Sequence, residues 1–162
     1  MIGTIIVQLF GLIGFILLLL SYWKEEINGV LVIQLFSGLF YMVHYYFLGA
    51  YSALLVLILE IIRDFLYYKM DLDKYIFFCT IPFYAIFSFF SFDGLLSLLP
   101  TIASIIDGFG LSIRKDTAVV GAMIAELLWV VYDFYCGSYI GILAGLLLLT
   151  SEILVFTNER KL

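Results

Sequence analysis

No charged side chain interrupts the chain between Ile2 and Trp23. A run of that length suffices for a helix to cross a hydrocarbon core about 30 Å thick at about 1.5 Å rise per residue. Comparable runs follow, separated by charges or glycine-rich turns at Lys24 to Asn28, Leu48 to Ala50, Lys69 to Lys74, Phe92 to Asp93, Arg114 to Thr117 and Cys136 to Gly137. The spacing predicts seven transmembrane helices, at Ile2 to Trp23, Gly29 to Phe47, Tyr51 to Tyr68, Tyr75 to Ser91, Gly94 to Ile113, Ala118 to Tyr135 and Ser138 to Phe156. Strands are excluded because the runs do not alternate, and unpaired backbone groups in lipid cost several kcal/mol.

Composition agrees with this reading. The 162 residues are 65% hydrophobic and only 13% charged, with a mean hydropathy of +1.16, more apolar surface than a soluble domain can hide. The first run lacks a basic leader and a small-residue cleavage site, so it is expected to be retained as a helix. No basic patch with interleaved aromatics points to nucleic acid. Cys79 and Cys136 are expected to be small buried apolar residues, and with one histidine and no CxxC or HxxxH spacing neither a metal nor another cofactor is expected.

Seven spans place Lys24, Arg63, Lys69, Lys74, Arg114, Lys115, Arg160 and Lys161 on, or nearest to, one side, whereas the connections around Gly49, Asp93 and Gly137 carry no basic residue. The positive-inside rule makes the basic side cytoplasmic. The N-terminus is then outside and the C-terminus inside, with membrane lipid around the bundle.

The chain also repeats. Shifted by 88 residues, Tyr41-Met-Val-His-Tyr-Tyr-Phe-Leu-Gly49-Ala-Tyr51 falls on Trp129-Val-Val-Tyr-Asp-Phe-Tyr-Cys-Gly137-Ser-Tyr139, and Asp64 falls on Glu152. A shift of four helices gives two three-helix units of the same orientation, residues 1–69 and 94–162, joined by an inversion linker helix in 70–93. The expected fold is an all-α integral membrane bundle of three plus one plus three helices.

That arrangement resembles the SWEET and PQ-loop superfamily of small-solute transporters and receptors. Ser21-Tyr-Trp-Lys24, Gln34, His44, Leu48-Gly-Ala-Tyr51, Ile62-Arg63, Leu95-Leu-Ser-Leu-Leu-Pro100, and Trp129 to Tyr132 with Gly137-Ser138 look like the bacterial inner-membrane YgjV family. The superfamily resemblance implies a solute pocket at Tyr41 and Leu57 in one repeat and at Trp129 and Gly145 in the other. The aromatics are kept there. The amides that line a sugar pocket in single-repeat relatives are missing, and no Pro-Gln pair follows the first helix. A sugar's hydroxyls would then lack partners, at a cost in free energy.

Carboxylates at membrane depth are the other candidates. Glu60 and Glu126 lie midway along the third and sixth helices, where a charge costs roughly 2.5 to 3.5 kcal/mol on insertion scales. Glu126 sits one turn from Trp129, and that pair with Tyr41 is the expected cavity, where Glu126 contacts solute, couples protons or is a hydrogen-bonded protonated acid. Glu60, Arg63 and Asp64 form either an intrahelical charge cluster or a cytoplasmic lock that exchanges partners with Glu152. Asp107 lies near the same end. His44 reads as an interfacial histidine or a proton relay, and Asp133 and His44 lie near the outer ends, where water and snorkelling reduce the cost.

Tyr22, Trp23, Tyr45, Tyr46, Tyr67, Tyr68 and Tyr135 are expected to anchor the interface. The pairs Gly11 with Gly14, Gly108 with Gly110 and Gly141 with Gly145 are expected to permit close packing, and Pro82 and Pro100 to permit kinks. Tyr132-Asp133 and Asp107-Gly-Phe-Gly110 superficially resemble the aspartate pair of presenilin-type proteases. The glycines follow their aspartate and the order is reversed, so no enzyme is expected. A transporter of a small polar or aromatic solute is favoured over a receptor or assembly module, and the lipid-facing surface leaves oligomers open.

Overall fold

The computed structural model describes residues 2–21, 24, 26–70, 74–113 and 115–159. Among them are seven α-helices and no strand. They are α1 (Ile2–Ser21), α2 (Ile27–Leu48), α3 (Tyr51–Met70), α4 (Lys74–Phe90), α5 (Leu99–Ile113), α6 (Lys115–Cys136) and α7 (Tyr139–Glu159), with a 3-10 turn at Leu95–Leu98 before α5. Tyr22, Trp23, Arg114, Arg160 and Lys161, named above, lie outside the described residues, as do the side chains of Tyr67, Lys74 and Lys115.

The helix ends fall within a few residues of where charge and glycine placed them, with one larger difference. The fifth helix starts at Leu99, not Gly94, so Pro100 sits in its first turn, where a missing N–H leaves no intrahelical bond unmade. Pro100 therefore starts a helix and does not kink one. The tighter turn before it is held by Ser97, whose hydroxyl donates to the Gly94 carbonyl (2.7 Å) and accepts from the Asp93 N–H (3.0 Å). Pro82 lies inside α4.

The molecule is apolar outside and buries many polar groups among its apolar ones. Phe36, Phe89, Phe90, Phe134 and Leu154 are exposed, while Ser21, Ser37, His44, Ser52, Arg63, Thr101, Ser104 and Asp133 are buried. A soluble protein sorts these residues the other way, and such an apolar exterior suits lipid. Asn28–Leu48 and Val119–Cys136 are long and apolar enough to span by length and composition alone. Helix α3 is as long as α1 but carries Glu60, Arg63, Asp64 and Lys69.

Six helices close a ring. Contacts run α1 to α2, α2 to α3, α3 to α5, α5 to α6, α6 to α7 and α7 back to α1, while α4 packs against α3 and α5. Phe77 and Tyr84 of α4 are wholly buried. Tyr84 packs with Val56 and Leu59, and the Phe77 ring fills the space over Gly108.

The turns that end α2 and α6 share a glycine conformation and two backbone bonds. Gly49 (φ 73) and Gly137 (φ 76) both take the left-handed conformation, which favours glycine after a helix end. The next N–H reaches back in each case, from Ala50 to the Tyr45 carbonyl (3.0 Å) and from Ser138 to the Asp133 carbonyl (2.9 Å). The following helices start alike too, Leu54 N–H donating to Ala50 and Ile142 N–H to Ser138.

Candidate functional site

A cavity of about 770 Å³ lies inside the ring and is lined by α1, α2, α3, α5, α6 and α7. Its lining extends from Tyr45, Asp133 and Gly141, near the two glycine turns, to Val30, Val119 and Glu152 towards the other end of the helices. The volume falls in the range of small-molecule sites, about 300 to 1,000 Å³.

An aromatic cluster forms one end. Tyr41 stacks on Tyr45 (centroids 6.2 Å apart, planes at 23°), and Tyr45 meets Trp129 at 6.0 Å. Tyr45 and Tyr132 are buried with Ala50 and Ala53 in the apolar cluster behind. Thin spots let these rings come close. Gly14 faces the Tyr41 ring and Gly11 the His44 ring, where a Cβ would approach to about 3 Å, so these glycines serve close packing as expected.

Beyond the aromatics a polar network joins the helices at the glycine-turn end. Tyr45 Oη donates to Asp133 Oδ1 (2.7 Å), and these two residues are separated by the repeat interval itself. His44 Nδ1 donates to the Val7 carbonyl (2.8 Å), and Nε2 lies 2.8 Å from Ser138 Oγ. Tyr132, the repeat mate of His44, bonds Ser52 at 2.8 Å. The two bonds are reciprocal, since one joins α2 to the serine just before α7 and the other joins α6 to the serine near the start of α3. Gln8 donates to the Gly137 carbonyl and accepts from the Ile140 N–H. At Gly141 a Cβ would collide with the Asp133 carboxylate and the Ser138 hydroxyl.

Three expectations change here. Tyr45 is not an interfacial anchor but a buried donor to a carboxylate, whereas Tyr46 and Tyr135 are exposed as an anchoring belt requires. Asp133 and His44 are buried, at 3% and 0% exposure, so protein hydrogen bonds, not snorkelling, offset their desolvation. Cys79 is exposed on α4, and Cys136 is half-buried with its thiol towards Asp133.

Charge occupies the rest of the cavity. Glu60, Arg63, Asp64, Asp107, Glu126, Asp133 and Glu152 all line it, six carboxylates to one guanidinium among the described residues. Arg63 Nε donates to Asp64 Oδ1 at 3.2 Å, and a Cβ on Gly108 would lie 3.4 Å from Arg63 Nη1. The arginine of α3 thus reaches across to α5 over a glycine. Glu60 Oε1 accepts a short 2.5 Å bond from Ser104 Oγ, also on α5. Glu152 Oε2 is buried without a hydrogen-bond partner, so the Glu60, Arg63 and Asp64 cluster does not hold it in this arrangement.

Glu126 projects where α6 and α7 approach closely, because a Cβ on Gly145 would lie 3.3 Å from Glu126 Oε2 and 2.5 Å from Val130 Cγ2. Of the residues singled out from sequence, Tyr41, Leu57, Trp129, Glu126, Gly145, Glu60, Arg63, Asp64, Asp107 and Glu152 share the one cavity. His44 lies behind it. Sequence reasoning missed Tyr45, Ser52 and Ser104. For Tyr45 a signal existed, because its repeat mate is the acid it bonds. No group of three His, Cys, Asp or Glu side chains among the described residues is placed to hold a metal ion.

An all-helical molecule with an apolar outside and a charged cavity inside belongs among polytopic membrane proteins. Residues 5–158 match the family model Imp-YgjV, described as a bacterial inner membrane protein. The chain belongs to that family and is a bacterial inner membrane protein. Comparisons with curated proteins and with solved structures gave no match.

Proposed function

We propose that the chain is a small-solute transporter of the SWEET and PQ-loop kind, in which repeats 1–69 and 94–162, joined by the linker helix in 70–93, rock about the shared cavity. The observation that carries this reading is a single cavity lined by both repeats and closed at one end by bonds that run between them. Alternating access needs a central site and a seal made of contacts that can part. Reciprocal single hydrogen bonds, each worth about 0.5 to 1.5 kcal/mol net, suit such a seal better than a continuous apolar core. The excess of basic residues at the other end supports that end as the cytoplasmic side.

The acids facing the cavity supply sites for proton coupling, with Glu126 as its carrier, while Glu60, Arg63, Asp64, Asp107 and Glu152 form the cytoplasmic gate and His44 belongs to the outer seal. A pH gradient should then drive uptake by the native protein and not by Glu126→Gln.

Accessibility tests the mechanism. In a background without Cys79 and Cys136, cysteines placed at Ala144 in the cavity and at Ala53 behind the seal are exposed to an impermeant maleimide from each side of the membrane. A transporter labels at Ala144→Cys from both sides. Labelling from one side alone, in a folded protein, replaces this reading with a receptor-type cup of the same superfamily.

A further inference from the structure

The cavity's chemistry is one-sided. Glu60, Asp64, Asp107, Glu126, Asp133 and Glu152 face it, against one arginine among the described residues. Asp64 is paired with Arg63, Asp133 with Tyr45 and Glu60 with Ser104. Glu126 and Asp107 have no hydrogen bond to a described residue, and Glu152 Oε2 is buried without one. Three carboxylates of the cavity lining are therefore short of hydrogen-bond partners among the described residues, and one of them, Glu126, shares α6 with Trp129.

We propose that the solute is an organic ammonium ion, whose charged head is held by Glu126 and whose body lies against Tyr41, Tyr45 and Trp129. This rests on the cavity being the solute site of the reading above, and it adds the charge and shape of what enters. A cation brought between carboxylates in a low-dielectric site gains more than it would in water. An anion is repelled, and a neutral polyol meets three acceptors but few donors.

The aromatic end selects an organic cation over a metal ion. Ring faces attract ammonium groups within about 6 Å, and Glu126 sits one helical turn from Trp129, the spacing that makes neighbours on a helix surface. A metal ion would need several oxygens converging on one point, and no three acid, histidine or cysteine side chains among the described residues do so. Gly145 belongs to the same device. A side chain there would push on Glu126 Oε2 from α7, so the glycine keeps the carboxylate's outer face clear.

The test uses two matched pairs, phenethylamine with phenethyl alcohol, and choline with 3,3-dimethylbutan-1-ol, titrated calorimetrically into the full-length protein in lipid nanodiscs. Each pair differs in charge and hardly in shape. The ammonium of at least one pair should bind about tenfold tighter than its alcohol. Glu126→Gln should remove that preference while shifting the alcohol's affinity by no more than about twofold. The native comparison stands alone if the variant fails to fold. Equal affinities within both pairs, or no binding by either ammonium, overturn the proposal.

Counterflow of the bound ammonium in proteoliposomes separates this idea from the one beneath it. Charge-selective binding without counterflow keeps the ammonium site and removes the transporter. Counterflow of a neutral solute, with no preference for charge in the titrations, keeps the transporter and removes the ammonium.

Discussion

The two ends of the cavity spend polar groups in opposite ways. At the glycine-turn end, Gln8, His44, Tyr45, Ser52, Tyr132, Asp133 and Ser138 are all hydrogen-bonded, mostly between helices distant in sequence. Towards the other end, Glu126, Asp107 and Glu152 face the cavity with little or no hydrogen bonding, and one arginine serves several acids. A saturated network fixes one arrangement of the helices, because any displacement leaves a buried group unmatched. An unsaturated one holds no single arrangement and gains most from something added. Under the proposed function the first region is the seal and the second the receiving site.

The largest break in this comparison comes from Arg63. It is buried at 6% exposure, and its charge acts on Asp64, Glu60 and Asp107. Arg63→Ala should destabilise by about 3 to 5 kcal/mol, the usual cost of leaving one half of a buried ion pair behind. Denaturant unfolding in mixed micelles reads this directly. A loss below about 1 kcal/mol, the worth of an exposed pair, would show that water already reaches the cluster.

In the sealed end the corresponding change is Tyr45→Phe, which removes the donor to Asp133 and nothing else. A buried acceptor left short of a partner costs about 1 to 3 kcal/mol. A double-mutant cycle with Asp133→Asn sharpens the point. Coupling of about 0.5 kcal/mol or more marks a working bond, and additive effects would mean that the seal is not held there.

How much of this was legible in the sequence depends on the range of the interaction. Helix ends follow from local composition, so the breaks at Lys24, Gly49, Lys69 and Gly137 were readable to within a few residues. Repeat mates were readable as a pattern. Which face of each helix turns inward was harder, because helices apolar nearly all round, such as α2 and α7, carry no stripe to set their rotation. Charges supplied that information where they occurred, so Glu126 was placed in the cavity and Glu60, Arg63 and Glu152 in a charged group near the cytoplasmic end that turns out to line the same cavity, whereas uncharged partners such as Ser104, Ser52 and Tyr45 were not placed. Pro100 shows a second limit, since only the position of the helix start tells a starting proline from a kinking one.

Smaller effects compare the two turns. Alanine at Gly49 or Gly137 must take the left-handed conformation at a cost of about 1 to 2 kcal/mol, with open space around the added methyl in both cases. The two losses should match to within experimental error in thermal unfolding. A much larger loss at Gly137, whose carbonyl accepts from Gln8, would put more of this end's strength in the turn after α6 than in the turn after α2.

The smallest expected effect is also the most telling for the unsaturated end. Tyr84 is as buried as Tyr45, at 0% against 4% exposure, but its hydroxyl has no hydrogen-bond partner. Removing an unmatched buried hydroxyl while keeping the ring loses no bond and relieves desolvation, so Tyr84→Phe should be neutral or stabilising by up to about 1 kcal/mol. The same substitution in two buried tyrosines thus carries opposite signs in the two regions. If Tyr84→Phe instead destabilises as much as Tyr45→Phe, the hydroxyl takes a partner in the membrane that the static arrangement does not supply. Arg63, whose charge it already feels, is the group to pair it with in a second cycle.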